Sequence, residues 1–215
     1  MKRIFNVLKN NKHWYLLFLS LIVFLFILIN VLNENTVKFD KKIYNAIISI
    51  KSDYMTNIFK VITEFGDATI LIIITIIFLI ILKNKKMAIT VVLNLSIFPL
   101  LNVFLKNIIK RPRPVGYRLI EESGYSFPSG HSMASMAFYG LIIYYVLKNV
   151  KNKTVRNIIC TSLSILIILI GTSRIYLGVH YATDVIAGFL VSIVYLVIYI
   201  TIILKLNKTS NEEVF

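Results

Sequence analysis

The chain has 215 residues, of which 57% are hydrophobic and only 16% charged, and its formal charge is +14. So little charge, with the apolar residues gathered in long blocks, excludes an ordinary soluble domain and points to one membrane-embedded domain over residues 1–215. The basic excess does not mark a nucleic-acid partner, because Lys and Arg lie between the apolar blocks instead of along one polar face.

In chain order, six segments approach the roughly 20 apolar residues that a helix needs to cross the hydrocarbon layer. They are Trp14–Leu32, Ala68–Leu82, Met87–Leu105 with a kink expected at Pro99, His131–Leu147, Ile158–Tyr176 and Thr183–Leu204. The second is short unless Phe65 and Gly66 extend it. The first is too long, and lacks the small-residue cleavage site, to be a signal peptide. Between the first two spans Ile43, Ile47, Ile50, Tyr54, Ile58, Val61 and Phe65 recur every three to four residues, with Lys42, Lys51, Asp53 and Lys60 largely between them. That spacing predicts an amphipathic helix, or two short ones, in the membrane interface or packed across the bundle end. The expected fold is therefore all-α: a six-transmembrane-helix bundle with an interfacial segment between helices 1 and 2.

The short loops carry Lys83, Lys85 and Lys86, then Lys148, Lys151, Lys153 and Arg156. By the positive-inside rule these loops and both termini are expected in the cytoplasm of a multi-pass plasma-membrane protein. Cys160 is the single cysteine; it lies in an apolar run and is expected to pack.

Three stretches place polar groups at span ends: "KNIIKRPRP" from Lys106, "PSGH" from Pro128, and "SRIYLGVHYATD" from Ser173. Span parity puts all three on the extracytoplasmic side. Lys106, Arg113 and Arg174 are cations near one membrane surface, which would repel one another without an anion. Arginine forks and a lysine point charge suit phosphate oxygens. Pro128 and Gly130 permit a sharp entry to a helix whose first N–H groups form an anion site, Ser129 adds a hydroxyl, and His131 stands in the first turn. His180 and Asp184, four apart, share a helix face, so that Asp184 can accept from one ring nitrogen and leave the other as nucleophile. Lys110, Arg111 and Arg118 are read as headgroup or substrate contacts without a catalytic role. Glu121 and Glu122 are expected to face water, and Tyr139, Tyr144, Tyr145, Tyr195 and Tyr199 to pack or to form interfacial belts.

These motifs resemble those of the type 2 phosphatidic acid phosphatase superfamily. Lys106 is followed after six residues by Arg113-Pro114; Pro128-Ser129-Gly130-His131 is present; and Ser173-Arg174 is followed after five residues by His180 and after three more by Asp184. Residues 106–184 carry the resemblance. It implies a metal-independent lipid phosphatase without cofactor, whose partners are a phosphorylated lipid and the bilayer, not nucleic acid. By motif position it implies His180 as nucleophile, Asp184 as its orienter and His131 as acid for the leaving group. Lys106, Arg113, Ser129, Gly130 and Arg174 would bind phosphate, and the intermediate would be a phosphohistidine. Undecaprenyl pyrophosphate, phosphatidylglycerol phosphate and phosphatidic acid are the candidate substrates. Two alternatives share the plan: a non-catalytic lipid-binding or transport member, disfavoured because no motif residue is lost, and a haloperoxidase using a similar anion cage, disfavoured by the apolar spans.

Overall fold

The computed structural model describes residues 12–81, 84–116 and 118–212. Among them are eight helices and no strand: α1 (Lys12–Leu32), α2 (Val37–Ile48), α3 (Asp53–Glu64), α4 (Ala68–Ile81), α5 (Lys85–Ile109), α6 (Gly130–Asn149), α7 (Lys153–Tyr176) and α8 (Ala182–Glu212). Several starts follow from local chemistry, since a side-chain oxygen satisfies an N–H that the first turn leaves unpaired. Ser52 accepts from the Met55 N–H, Asn84 from Met87 and Asn152 from Val155. At the end of α5 Lys110 turns left-handed, with φ 53°, and its N–H returns to the Lys106 carbonyl.

The amphipathic stretch folds as two helices, α2 and α3. Among the described residues four helices, α1, α5, α7 and the apolar part of α8, are long and apolar enough to cross a membrane, or five spans if α3 and α4, bent by 51°, count as one. The six-span plan is thus only partly met. α4 has 14 residues, or about 21 Å at 1.5 Å per residue, and Phe65 and Gly66 form the elbow before it instead of lengthening it. Leu82 lies outside the described residues. α6 has 20 residues, enough for about 30 Å, but its Gly, Ser and Tyr content lowers its hydropathy. It can carry them because it packs against α5, α7 and α8 in the centre, where Ser132, Ser135, Ala137 and Phe138 are buried.

The main core joins α4 to α8 through Leu71, Val91, Phe98, Phe138, Leu141, Ile167, Ile170 and Leu196. α1 lies along α8, and α3 along α7, where the Phe59 and Tyr176 ring centroids are 4.4 Å apart. Gly188 lets α8 approach the start of α6: a Cβ there would stand 2.9 Å from the Ser129 carbonyl oxygen. The outward faces carry large apolar side chains such as Phe18, Ile22, Phe26, Ile76, Phe104 and Ile168, as a lipid-facing surface requires.

Candidate active site

One end of the bundle gathers the residues singled out in the sequence. Asp184, in the first turn of α8, and His180, in the α7–α8 turn, are both buried, and His180 Nδ1 lies 3.4 Å from Asp184 Oδ2. The other ring nitrogen, Nε2, is 3.0 Å from Arg113 Nη1. A guanidinium can only donate, so Nε2 is the acceptor and the proton resides on Nδ1, facing Asp184. Nε2 thus carries the unprotonated lone pair, which accepts from Arg113. Burial, with a smaller push from Arg174 and Arg113, lowers the His180 pKa to about 4 in spite of Asp184, so the ring is neutral at physiological pH.

Arg113 contacts Nε2, and Lys106 and Arg174 lie near Arg113. Arg113 Nη1 also donates to the Val179 carbonyl at 3.0 Å, and its Nε and Nη2 donate to the carbonyls of Ser123 and Gly124. Lys106 Nζ donates to the Tyr125 carbonyl at 2.7 Å. Arg174 donates from Nη1 to Thr63 Oγ1 at 2.8 Å and from Nη2 to Glu122 Oε2; its buried Nε has no hydrogen-bond partner. Glu122 Oε1 is 3.5 Å from Arg113 Nη2. Glu122 therefore does not simply face water: its carboxylate bridges two of the three cage cations. Burial would raise its pKa, but Arg174 and Arg113 outweigh that and hold it below the usual carboxylate range.

Ser129 caps α6, accepting from the Ser132 N–H, while its own N–H donates to the Asp184 carbonyl at 3.1 Å. That bond ties the second motif to the third. His131 follows on the first turn, close enough to Arg174, Glu122, His180 and Lys106 to feel their charge. Its ring is backed by the α3–α4 elbow, where a Cβ on Gly66 would lie 3.1 Å from it. Gly130 faces Asn102 of α5. All eight expected site residues thus converge on one end. The sequence reading missed Glu122, Ser126, Thr63, Arg111 and Asp40. Ser126 Oγ donates to Asp184 Oδ2 and lies 3.3 Å from His180 Nδ1. A cavity of about 550 Å³ also reaches His180, lined in part by Val31, Val37, Tyr44, Ile109, Arg111 and Tyr181, but it touches none of the three cage cations. Among the described residues, no group of three or more His, Cys, Asp or Glu is arranged to hold a metal ion.

A neutral, buried imidazole beside Arg113, with Lys106 and Arg174 near by in an apolar helical bundle, suits an anionic group at a membrane surface. The family model described as the PAP2 superfamily matches residues 85–208, and the chain belongs to that superfamily as a lipid phosphatase. It is 33% identical over 178 residues to phosphatidylglycerophosphatase B of Bacillus subtilis, covering 79% of this chain and 86% of that one. It is 27% identical over 189 residues to an undecaprenyl-diphosphatase of Sulfolobus acidocaldarius, covering 85% and 87%. The crystal structure of a transmembrane PAP2-type phosphatidylglycerolphosphate phosphatase from Bacillus subtilis superposes with a TM-score of 0.81 at 27% identity, over 89% of this chain and 97% of that one.

Proposed function

We propose that this protein, acting as a single membrane-embedded domain, removes phosphate from a membrane lipid through a phosphohistidine on His180. The observation that carries the reading is the His180 tautomer: Nδ1–H faces Asp184 and Nε2 faces Arg113. His180 Nε2 attacks phosphorus in line, the bond from phosphorus to the lipid oxygen breaks, and His131, protonated once the bound phosphate's negative charge offsets the surrounding cations, gives its proton to that oxygen. His131 then takes a proton from water, which attacks the phosphohistidine; the P–N bond breaks and inorganic phosphate leaves. Lys106, Arg113 and Arg174, with Ser129 and Gly130 at the α6 start, hold the phosphoryl oxygens. These side chains supply the positive charge that a metal ion supplies in other phosphatases.

Phosphatidylglycerol phosphate is the first substrate reading, supported by the similarity to the Bacillus subtilis phosphatase. Undecaprenyl diphosphate is the second, supported by the similarity to the Sulfolobus enzyme. Phosphate release from these two lipids and phosphatidic acid, in detergent, tests both. The expected result is release by the wild type, unaffected by EDTA, and none by His180→Ala. Normal release by the variant would overturn the nucleophile assignment, and loss on chelation restored by Mg²⁺ would overturn the metal-free route.

The site end is proposed to face outward, because the loops at the opposite end, around Lys85 and Lys86 and from Lys148 to Arg156, are rich in Lys. In a Cys160→Ala background an impermeant thiol reagent on intact cells is expected to label Asn35→Cys and Ser123→Cys and to spare Asn152→Cys. The reverse pattern would invert the topology.

A further inference from the structure

Arg111 stands two residues before Arg113 but turns to the opposite side of the catalytic pair. Its Nη1 donates to Asp184 Oδ1 at 2.6 Å and to Thr183 Oγ1 at 2.8 Å. Its Nη2 donates to Asp40 Oδ2 at 2.8 Å and to Thr36 Oγ1 at 3.1 Å, and the guanidinium lies 4.0 Å from the Tyr181 ring centroid. The Arg111 carbonyl accepts from the Ser126 N–H at 2.8 Å, so the same residue also holds the serine that shares Asp184 Oδ2. Asp40, on α2, is 3% exposed. It accepts from the Thr183 N–H at 2.9 Å, capping α8 from another helix, and from Thr183 Oγ1 at 2.9 Å. Both oxygens of Asp184 are engaged: Arg111 donates to Oδ1, and Ser126, the Tyr181 N–H and His180 share Oδ2.

The charges decide what this arrangement does. Arg111 alone would fix Asp184 but cancel its negative charge, and so weaken its hold on an imidazole that becomes positive as Nε2 bonds to phosphorus. Asp40 returns one negative charge to the group. Two carboxylates and one guanidinium carry a net charge of one minus, which the imidazolium neutralises. We infer that Asp40 and Arg111 are positioning residues for His180, acting through Asp184, and that α2 is part of the catalytic apparatus and not only a brace at the bundle end. The inference rests on the phosphohistidine reading above.

The test uses the full-length protein in detergent, with release of phosphate from dispersed short-chain phosphatidic acid. Asp40→Asn keeps the shape and removes the charge; Arg111→Lys keeps the charge and loses the fork. Each is expected to lower kcat by about tenfold or more with KM within about twofold, since orientation of the nucleophile matters in the transition state and not in binding. In an Asp184→Asn background the further loss is expected to fall below about threefold, because residues acting through one group are not additive. A monodisperse elution profile and an unchanged melting midpoint check the fold. If Asp40→Asn does not fold, Arg111→Lys carries the same cycle. Equal losses in both backgrounds, or a loss confined to KM, would overturn the inference alone. Wild-type turnover that persists in His180→Ala would overturn the phosphohistidine reading and this inference with it.

Discussion

The two sides of His180 each hold an arginine, Arg111 partly buried and Arg113 buried, yet they are built differently. Behind the ring, Arg111 has two carboxylate partners from α2 and α8, at 2.8 and 2.6 Å. In front, Arg113 and Lys106 rest on main-chain carbonyls of the 123–125 loop, and Arg113 and Arg174 share the half-buried Glu122. Neutral carbonyls and one shared acid leave the front with a surplus of positive charge, whereas the back has a surplus of negative charge. The back therefore suits a cation that forms on the ring, and the front suits an anion that arrives from outside. Arg111 illustrates the difference: burial alone would lower its pKa, but Asp184 and Asp40 raise it overall, whereas that of Arg113 is lowered, burial outweighing Glu122.

The largest expected effect removes the ring that joins the two sides. His180→Ala should reduce phosphate release to background, and measurable single-turnover phosphohistidine in that variant would break the scheme. Asp184→Asn strips the back of its central charge while leaving the proposed nucleophile; a kcat loss of about 10²–10⁴ is expected, smaller than for His180→Ala. Arg174→Gln weakens the front, with an expected loss in kcat/KM of about 10²–10³ and weaker inhibition by vanadate, a phosphate mimic. If vanadate bound the variant as well as the wild type, the front would not be the anion site.

The pH profile sharpens the comparison less drastically. The protonated imidazole cannot attack, and its pKa is lowered from the ordinary 6.5 to about 4. In kcat/KM, which reports the free enzyme, the limb due to His180 should thus lie near pH 4, after allowance for the substrate phosphate's own ionisation near about pH 6. The smallest effect is expected for Glu122→Gln. It removes the carboxylate paired with Arg174, with which a phosphate at the proposed site would compete, so vanadate should bind a few-fold more tightly, about the scale of a partly exposed ion pair. Weaker vanadate binding would show instead that Glu122 orders the front arginines.

Some of this was legible early and some was not. The PSGH entry to α6, and the spacing of Lys106, Arg113, Arg174, His180 and Asp184 around span ends, carry most of the site, because their chemistry is local to each motif. Asp40 left a faint trace: it falls three and seven residues before Ile43 and Ile47, in the register of an apolar stripe, where a lone carboxylate needs a partner. Glu122 left none, since the 118–129 loop has no periodicity to expose an acid that turns inward.

Hydrophobic block length and motif spacing are properties of the covalent chain, and by themselves they determined a helical membrane protein, the approximate ends of its longer helices and the gathering of three motifs at one end. The fate of the two arginines in "KRPRP" was decided only in three dimensions. Arg111 meets Asp40 across 71 residues of sequence, and Arg113 meets His180 across 67. Which of them faces the carboxylates depends on where α2, the 118–129 loop and the start of α8 come to rest against one another. The same packing encloses α6 among α5, α7 and α8, which is how a helix that carries Gly, Ser and Tyr can stand at the centre of the bundle.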